Sequence, residues 1–186
     1  MSQLPIARGV EERAGLAAVD SRLARVVVSA RLRAERSISL RVSGWSMYPF
    51  LAPGQEVLLE PCAAEVLRPG ELVAFERAGR VILHRVLSVY PGTGQVIEKG
   101  DNVRQASVVE KYEVLGRAAT LVARRPVELT NSRFVLAGRC LARLSAAHAR
   151  LHEFATEHRL IGKPLAFGFT VVLRLAGALA KPARVD

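Results

Sequence analysis

Ser46, His84 and Asp101 have the side-chain types and the chain order of a site that cuts amides. A serine hydroxyl attacks a carbonyl only when a neighbouring base takes its proton, and that base works best when a third group orients it. Ser46 lies in Gly44-Trp45-Ser46-Met47-Tyr48-Pro49. Gly44 can take backbone angles closed to other residues, and Pro49 ends regular pairing, so the serine is presented at a turn. An ordinary strand-to-turn serine would look the same.

The base is narrowed by position. His148, His152 and His158 fall in a C-terminal helical region, where His148 lies in the apolar stripe and reads as a packed side chain. His84 stands in Val81-Ile82-Leu83-His84-Arg85-Val86-Leu87, where period-two alternation puts it on one face with Ile82 and Val86, opposite Leu83 and Arg85. A histidine on an apolar strand face needs a polar partner; Ser46 is one candidate and a backbone carbonyl is another. In Glu98-Lys99-Gly100-Asp101-Asn102, Gly100 permits a sharp turn and Asp101 follows at once, as an orienting acid or as a common Asp-Asn turn.

The elements that must hold these residues are short strands. From Ile38 to about Leu129 the chain reads as apolar runs punctuated by Pro-Gly and Gly. Strands are predicted at Ile38 to Val42, Val57 to Leu59, Leu72 to Phe75, Val81 to Val89, Gln95 to Lys99 and Val114 to Val122, with a hairpin closed at Arg77-Ala78-Gly79. The fold class expected is mainly β, a coiled antiparallel sheet or partial barrel flanked by N- and C-terminal helices. Residues 1–37 form the N-terminal helical segment, 38–129 the β domain and 130–186 the C-terminal helical region.

Ala14 to Arg36 reads as a helix with Leu16, Val19, Leu23, Val26, Val27 and Ala30 near one face, too charged to span a membrane. Leu141, Leu144, His148, Leu151 and Ala155 mark a long second helix. Pro164 to Ala180 is apolar but carries Arg174, Gly168 and Gly177, and falls short of the roughly 20 residues a bilayer core requires. It is expected to pack on the domain or lie on a surface, with a membrane span as the lesser alternative.

Composition bounds the partners. Among 186 residues half are hydrophobic, enough for a real core, and the formal net charge is +10. That surplus, mostly arginine, suits an anionic membrane surface met by the basic helices; specific nucleic-acid binding is not expected. Cys62 and Cys140 have no metal-ligand or C-x-x-C spacing, so neither a metal nor a cofactor is expected. Leu4-Pro5-Ile6-Ala7 runs at once into Arg8, Glu11, Glu12 and Arg13, unlike a signal peptide. The expected setting is cytoplasmic, with peripheral membrane contact at most.

The run Gly44 to Pro49, the strand starts Pro53-Gly54-Gln55-Glu56-Val57 and Pro69-Gly70-Glu71-Leu72-Val73, the segment His84-Arg85-Val86 and the turn Lys99-Gly100-Asp101-Asn102 together resemble the S24/S26 peptidase superfamily. Within it they are most similar to signal peptidases of the archaeal and endoplasmic-reticulum type, over about Ile38 to Leu121. The resemblance implies Ser46 as nucleophile, His84 as base in place of the lysine of the bacterial type, and Asp101 as supporting acid. It also implies a substrate and oxyanion region at Gly44, Trp45, Met47 and Tyr48. The chain departs from the pattern at Gln55 and Glu71, where relatives carry aspartate, and at Gly44, where many carry a serine. The apolar anchor that precedes the serine box in signal peptidases has no counterpart in Ala14 to Arg36.

The function expected is a serine endopeptidase cutting a protein or peptide precursor. Two alternatives stand beside it. A LexA-like self-cleaving protein would use a lysine base and a cleavage site such as Ala14-Gly15, and the β domain offers only Lys99 and Lys111. A non-catalytic module would keep the fold and bind through its basic surface.

Overall fold

The computed structural model describes residues 26–157 together with Val172, Leu175 and Ala176. Ala14-Gly15, the first part of the N-terminal helix, His158 and most of Pro164 to Ala180 lie outside the described residues.

The protein is mainly β, as the strand pattern predicts. An antiparallel sheet contains β1 (Ile38–Arg41), β2 (Glu56–Glu60), β3 (Leu72–Arg77), β4 (Arg80–Val89), β5 (Val96–Lys99), β6 (Ser107–Val109), β7 (Val114–Val122) and β8 (Val127–Glu128). The order across it is β1-β2-β7-β3-β4-β5-β6, with β8 paired to β7. The helical stretch 26–35, α1, precedes the sheet, and α2 (Ser132–Glu157) follows it. Two strands were not read from the sequence, β6 and β8.

Turn chemistry fixes the strand starts. Gly54 and Gly70 take φ of 88° and 97°, the left-handed values that a Pro-Gly turn needs at its second residue. The side chain after each glycine then closes its own turn. Gln55 Oε1 accepts from the Ala52 N–H at 2.6 Å, and Glu71 Oε2 accepts from the Arg68 N–H at 2.7 Å. Gln55 and Glu71 thus bond the backbone three positions upstream, one as an amide and one as a carboxylate. At the β3–β4 hairpin Ala78 and Gly79 both have positive φ, the handedness that matches strand twist.

The sheet buries both faces. One face joins Leu72, Ala74, Leu83 and Leu115 to Met47, Phe50, Leu51 and Leu141 of α2. The other gathers Val73, Phe75, Val86, Val96 and Val109 around Leu67. α1 contributes Leu32, 2% exposed, and Val28 to the first core. This corrects the expected apolar face: Val26 and Val27 are exposed at 62% and 51%, because Val28 and Leu32, four apart, point inward instead. Ala176 also packs against that core, so part of the C-terminal apolar segment touches the domain. Among the described residues no helix is long and apolar enough to cross a membrane.

α2 starts at an Asn131 cap, whose Oδ1 accepts from the Arg133 and Phe134 N–H groups at 3.1 and 3.2 Å. It meets the Gly70 turn, just before β3, without side chains between the backbones. A Cβ on Gly138 would lie 2.5 Å from the Gly70 carbonyl oxygen, and a Cβ on Gly70 would lie 2.4 Å from Arg139 N.

Candidate active site

Ser46 sits on a turn that is buried at one end and open at the other. Met47, Phe50 and Leu51 are 1%, 3% and 0% exposed and pin the turn into the first core. Trp45 and Tyr48 stand outside it, stacked edge to face with ring centres 5.3 Å apart. They rim the serine, while Met47 is the anchor. Gly44 has no neighbour within 4 Å of a built Cβ and does not take a positive φ, so its role is not the special backbone geometry expected of it.

The turn is clasped from the β5 side. The Asn102 N–H donates to the Ser46 carbonyl at 2.7 Å, and Asn102 Nδ2 donates to the Trp45 carbonyl at 3.2 Å. This clasp brings the Gly100-Asp101-Asn102 turn against the serine.

His84 reaches the same place from β4. Arg85 pairs with Lys99 across the β4–β5 ladder, which sets His84 opposite Gly100 and puts Glu98 diagonally beside it on one face. A Cβ on Gly100 would fall 2.9 Å from His84 Nε2 and 2.7 Å from the Ser46 carbonyl oxygen. Gly100 therefore serves by lacking a side chain, not by turning sharply; its φ is not positive. No hydrogen bond joins Ser46 Oγ to His84 among the described residues. In catalytic sites without substrate that bond is commonly long.

The other ring nitrogen is occupied. His84 Nδ1 lies 2.5 Å from Glu98 Oε2, and the imidazole stands edge to face with Phe75 at 5.9 Å. Glu98 is 1% exposed. Its Oε1 accepts a hydrogen bond from Ser107 Oγ and lies 3.8 Å from Arg77.

Asp101 is not where an orienting acid would have to be. Its two oxygens accept from Arg85 Nε and Nη2 at 2.8 and 2.7 Å, and Arg85 donates further to the Gly70 carbonyl at 2.9 Å. The reason is strand parity. Across the β4–β5 pair His84, Glu98 and Gly100 share one face, and Arg85, Lys99 and Asp101 share the other. Asp101 instead ties the turn to the core, and Arg85 lies 4.6 Å over the Phe50 ring in the Ser46 turn.

Lys99, the lysine nearest the serine in sequence pattern, points away from it. It is wholly buried, and its Nζ donates to Ser145 Oγ of α2 at 2.9 Å. Burial pushes its pKa down to about 8, against the pull of Asp101 and Glu98. His148, one turn along α2, is 3% exposed, and burial with the nearby Lys99 charge pushes it down to about 4.

The geometry thus unites Ser46, His84 and Gly100, leaves Asp101 as a structural clamp, and adds Glu98, which sequence reasoning missed. The signal was available: Glu98 has the parity of His84 in any β4–β5 hairpin that pairs Arg85 with Lys99. Among the described residues no group of three His, Cys, Asp or Glu side chains could hold a metal ion. No protein-family model matches the chain, and comparison with curated proteins and with solved structures finds no significant match.

Proposed function

We propose that the protein is a serine endopeptidase of the signal-peptidase-like type, akin to the S24/S26 superfamily, that cuts a peptide bond in a protein or peptide precursor. The observation that carries the reading is the meeting of His84 Nε2 with the Ser46 turn over the bare backbone of Gly100.

In this reading His84 takes the Ser46 proton as Oγ attacks the scissile carbonyl. The tetrahedral intermediate collapses to an acyl-enzyme, and His84 passes the proton to the departing amine. Water then enters on the same side and gives a proton to His84 as it attacks the acyl carbonyl; His84 returns that proton to Ser46 Oγ as the ester bond breaks and the acid leaves. Gly44 has no hydroxyl to assist, so the oxyanion is held by backbone N–H groups of the turn. Trp45 and Tyr48 rim the entry and contact residues of the substrate beside the scissile bond.

A lysine-based, self-cleaving chemistry has less support, because Lys99 Nζ is engaged by Ser145 on the opposite face. The test is labelling by a fluorophosphonate. Wild type is expected to react, and Ser46→Ala and His84→Ala are not. Equal behaviour of the three proteins would end the enzyme reading and leave a binding module on this fold.

A further inference from the structure

We infer that Glu98, held by Ser107 and Arg77, is the positioning residue for His84; this rests on the peptidase reading of Ser46 and His84. Five side chains, the imidazole among them, close a ring of contacts. Glu98 Oε2 meets His84 Nδ1, Glu98 Oε1 meets Ser107, Ser107 Oγ accepts from Arg77 Nη1 at 2.8 Å, Arg77 lies 5.1 Å over Phe75, and Phe75 edges His84.

The ring decides which nitrogen of His84 carries the proton. A hydroxyl and a cation hold one oxygen of the Glu98 carboxyl: Oε1 accepts from Ser107 Oγ and lies 3.8 Å from Arg77, which leaves Oε2 to face His84 Nδ1. A carboxylate held in this way accepts at both oxygens. His84 Nδ1 is therefore the donor, and Nε2 keeps its lone pair on the side of Gly100 and Ser46. A neutral base with its lone pair toward the nucleophile is the state from which proton removal starts.

The members of the ring come from four strands. His84 is on β4, Glu98 on β5, Ser107 on β6, and Arg77 and Phe75 on β3. Rotation of the imidazole would break contacts on both sides of its strand. Asp101 cannot substitute, since both its oxygens are bonded to Arg85 on the other face.

The test pairs two readouts on the full chain. In nitrogen-15 spectra of histidine-labelled Ser46→Ala protein, His84 is expected as the Nδ1–H tautomer, and Glu98→Gln is expected to lose that preference. On the Ser46 background, phosphonylation of Glu98→Gln by the fluorophosphonate, with loss of fluoride, is expected to fall on the order of 100-fold, with partial recovery in Glu98→Asp. Ser107→Ala leaves the carboxylate in place and is expected to move both readouts in the same direction by less, which keeps the test usable where Glu98→Gln does not fold. A labelled wild type with Glu98→Gln indistinguishable in tautomer and rate overturns the role of Glu98 alone. A wild type inert to the probe overturns the peptidase reading, and this role with it.

Discussion

Arg85 and Asp101 face each other inside the protein, 1% and 4% exposed, joined by two parallel hydrogen bonds. The pair links β4, the turn after β5, the Gly70 turn and, through Phe50, the serine loop. Removing one partner strands a buried charge, so Asp101→Asn is expected to cost about 3–5 kcal/mol in urea denaturation. The same variant is expected to leave the His84 tautomer unchanged wherever it stays folded, which separates the clamp from an orienting acid.

Gly100→Ala tests the space between His84, the proposed base, and the Ser46 turn that carries the proposed nucleophile. Its methyl would meet backbone at the Ser46 carbonyl oxygen, so the turn or the imidazole must move. A displacement near 1 Å in a reacting pair can lower a rate about 100-fold. Fluorophosphonate labelling is expected to fall by that order while circular dichroism still reports the folded sheet.

Stability should rise with pH in two windows. His148 is held down to about 4 from 6.5, and Lys99 to about 8 from 10.5. In each interval the unfolded chain binds the extra proton, so the slope is positive, at most about 1.4 kcal/mol per pH unit for one group. The Lys99 penalty is fully present below pH 8 and relieved above it. Cys62, raised by burial from 9.0 to about 11, works in the opposite direction there, so the upper limb is cleanest between about 8 and 9. Lys99→Met is expected to flatten that limb in melting temperatures followed over pH, and an unchanged slope would refute the assignment.

Trp45 is the one tryptophan of the chain and stands 62% exposed beside the serine. Trp45→Ala and Tyr48→Ala are expected to change stability by no more than about 0.5 kcal/mol, as exposed residues do, and to raise KM for a peptide substrate. Wild-type tryptophan emission is expected to shift when the fluorophosphonate reacts. The same emission reads whether anionic vesicles touch this rim.

Much of this was legible in the chain. Pro53-Gly54, Pro69-Gly70 and Ala78-Gly79 announced turns because each needs a conformation that few residues take, and Val114 to Val122 appears with the predicted bounds. β6 and β8 have only three and two residues, too short for alternation to register. The acid beside His84 was hidden for another reason: Asp101 stood in the familiar Gly-Asp turn, while Glu98 looked like one more charge in a strand. Only the ladder, by sorting Glu98 and Asp101 to opposite faces, distinguishes them. α1 went wrong on packing, since Val26 and Val27 satisfy the helical period as well as Val28 does.

The Gly70–Gly138 contact has a further consequence. Backbone touching backbone admits one axial phase of α2, because any other would drive a side chain into the Gly70 turn. Ser145 lies about two turns on, along the same face, so its aim at Lys99 follows from that phase. Lys99 adjoins Gly100, and Asn102 beyond it clasps Ser46. A glycine remote from the serine in sequence thus works as a setting screw for it. One residue inserted between Gly138 and Ser145 would swing Ser145 about 100° off its mark and detune the centre without altering any residue in it.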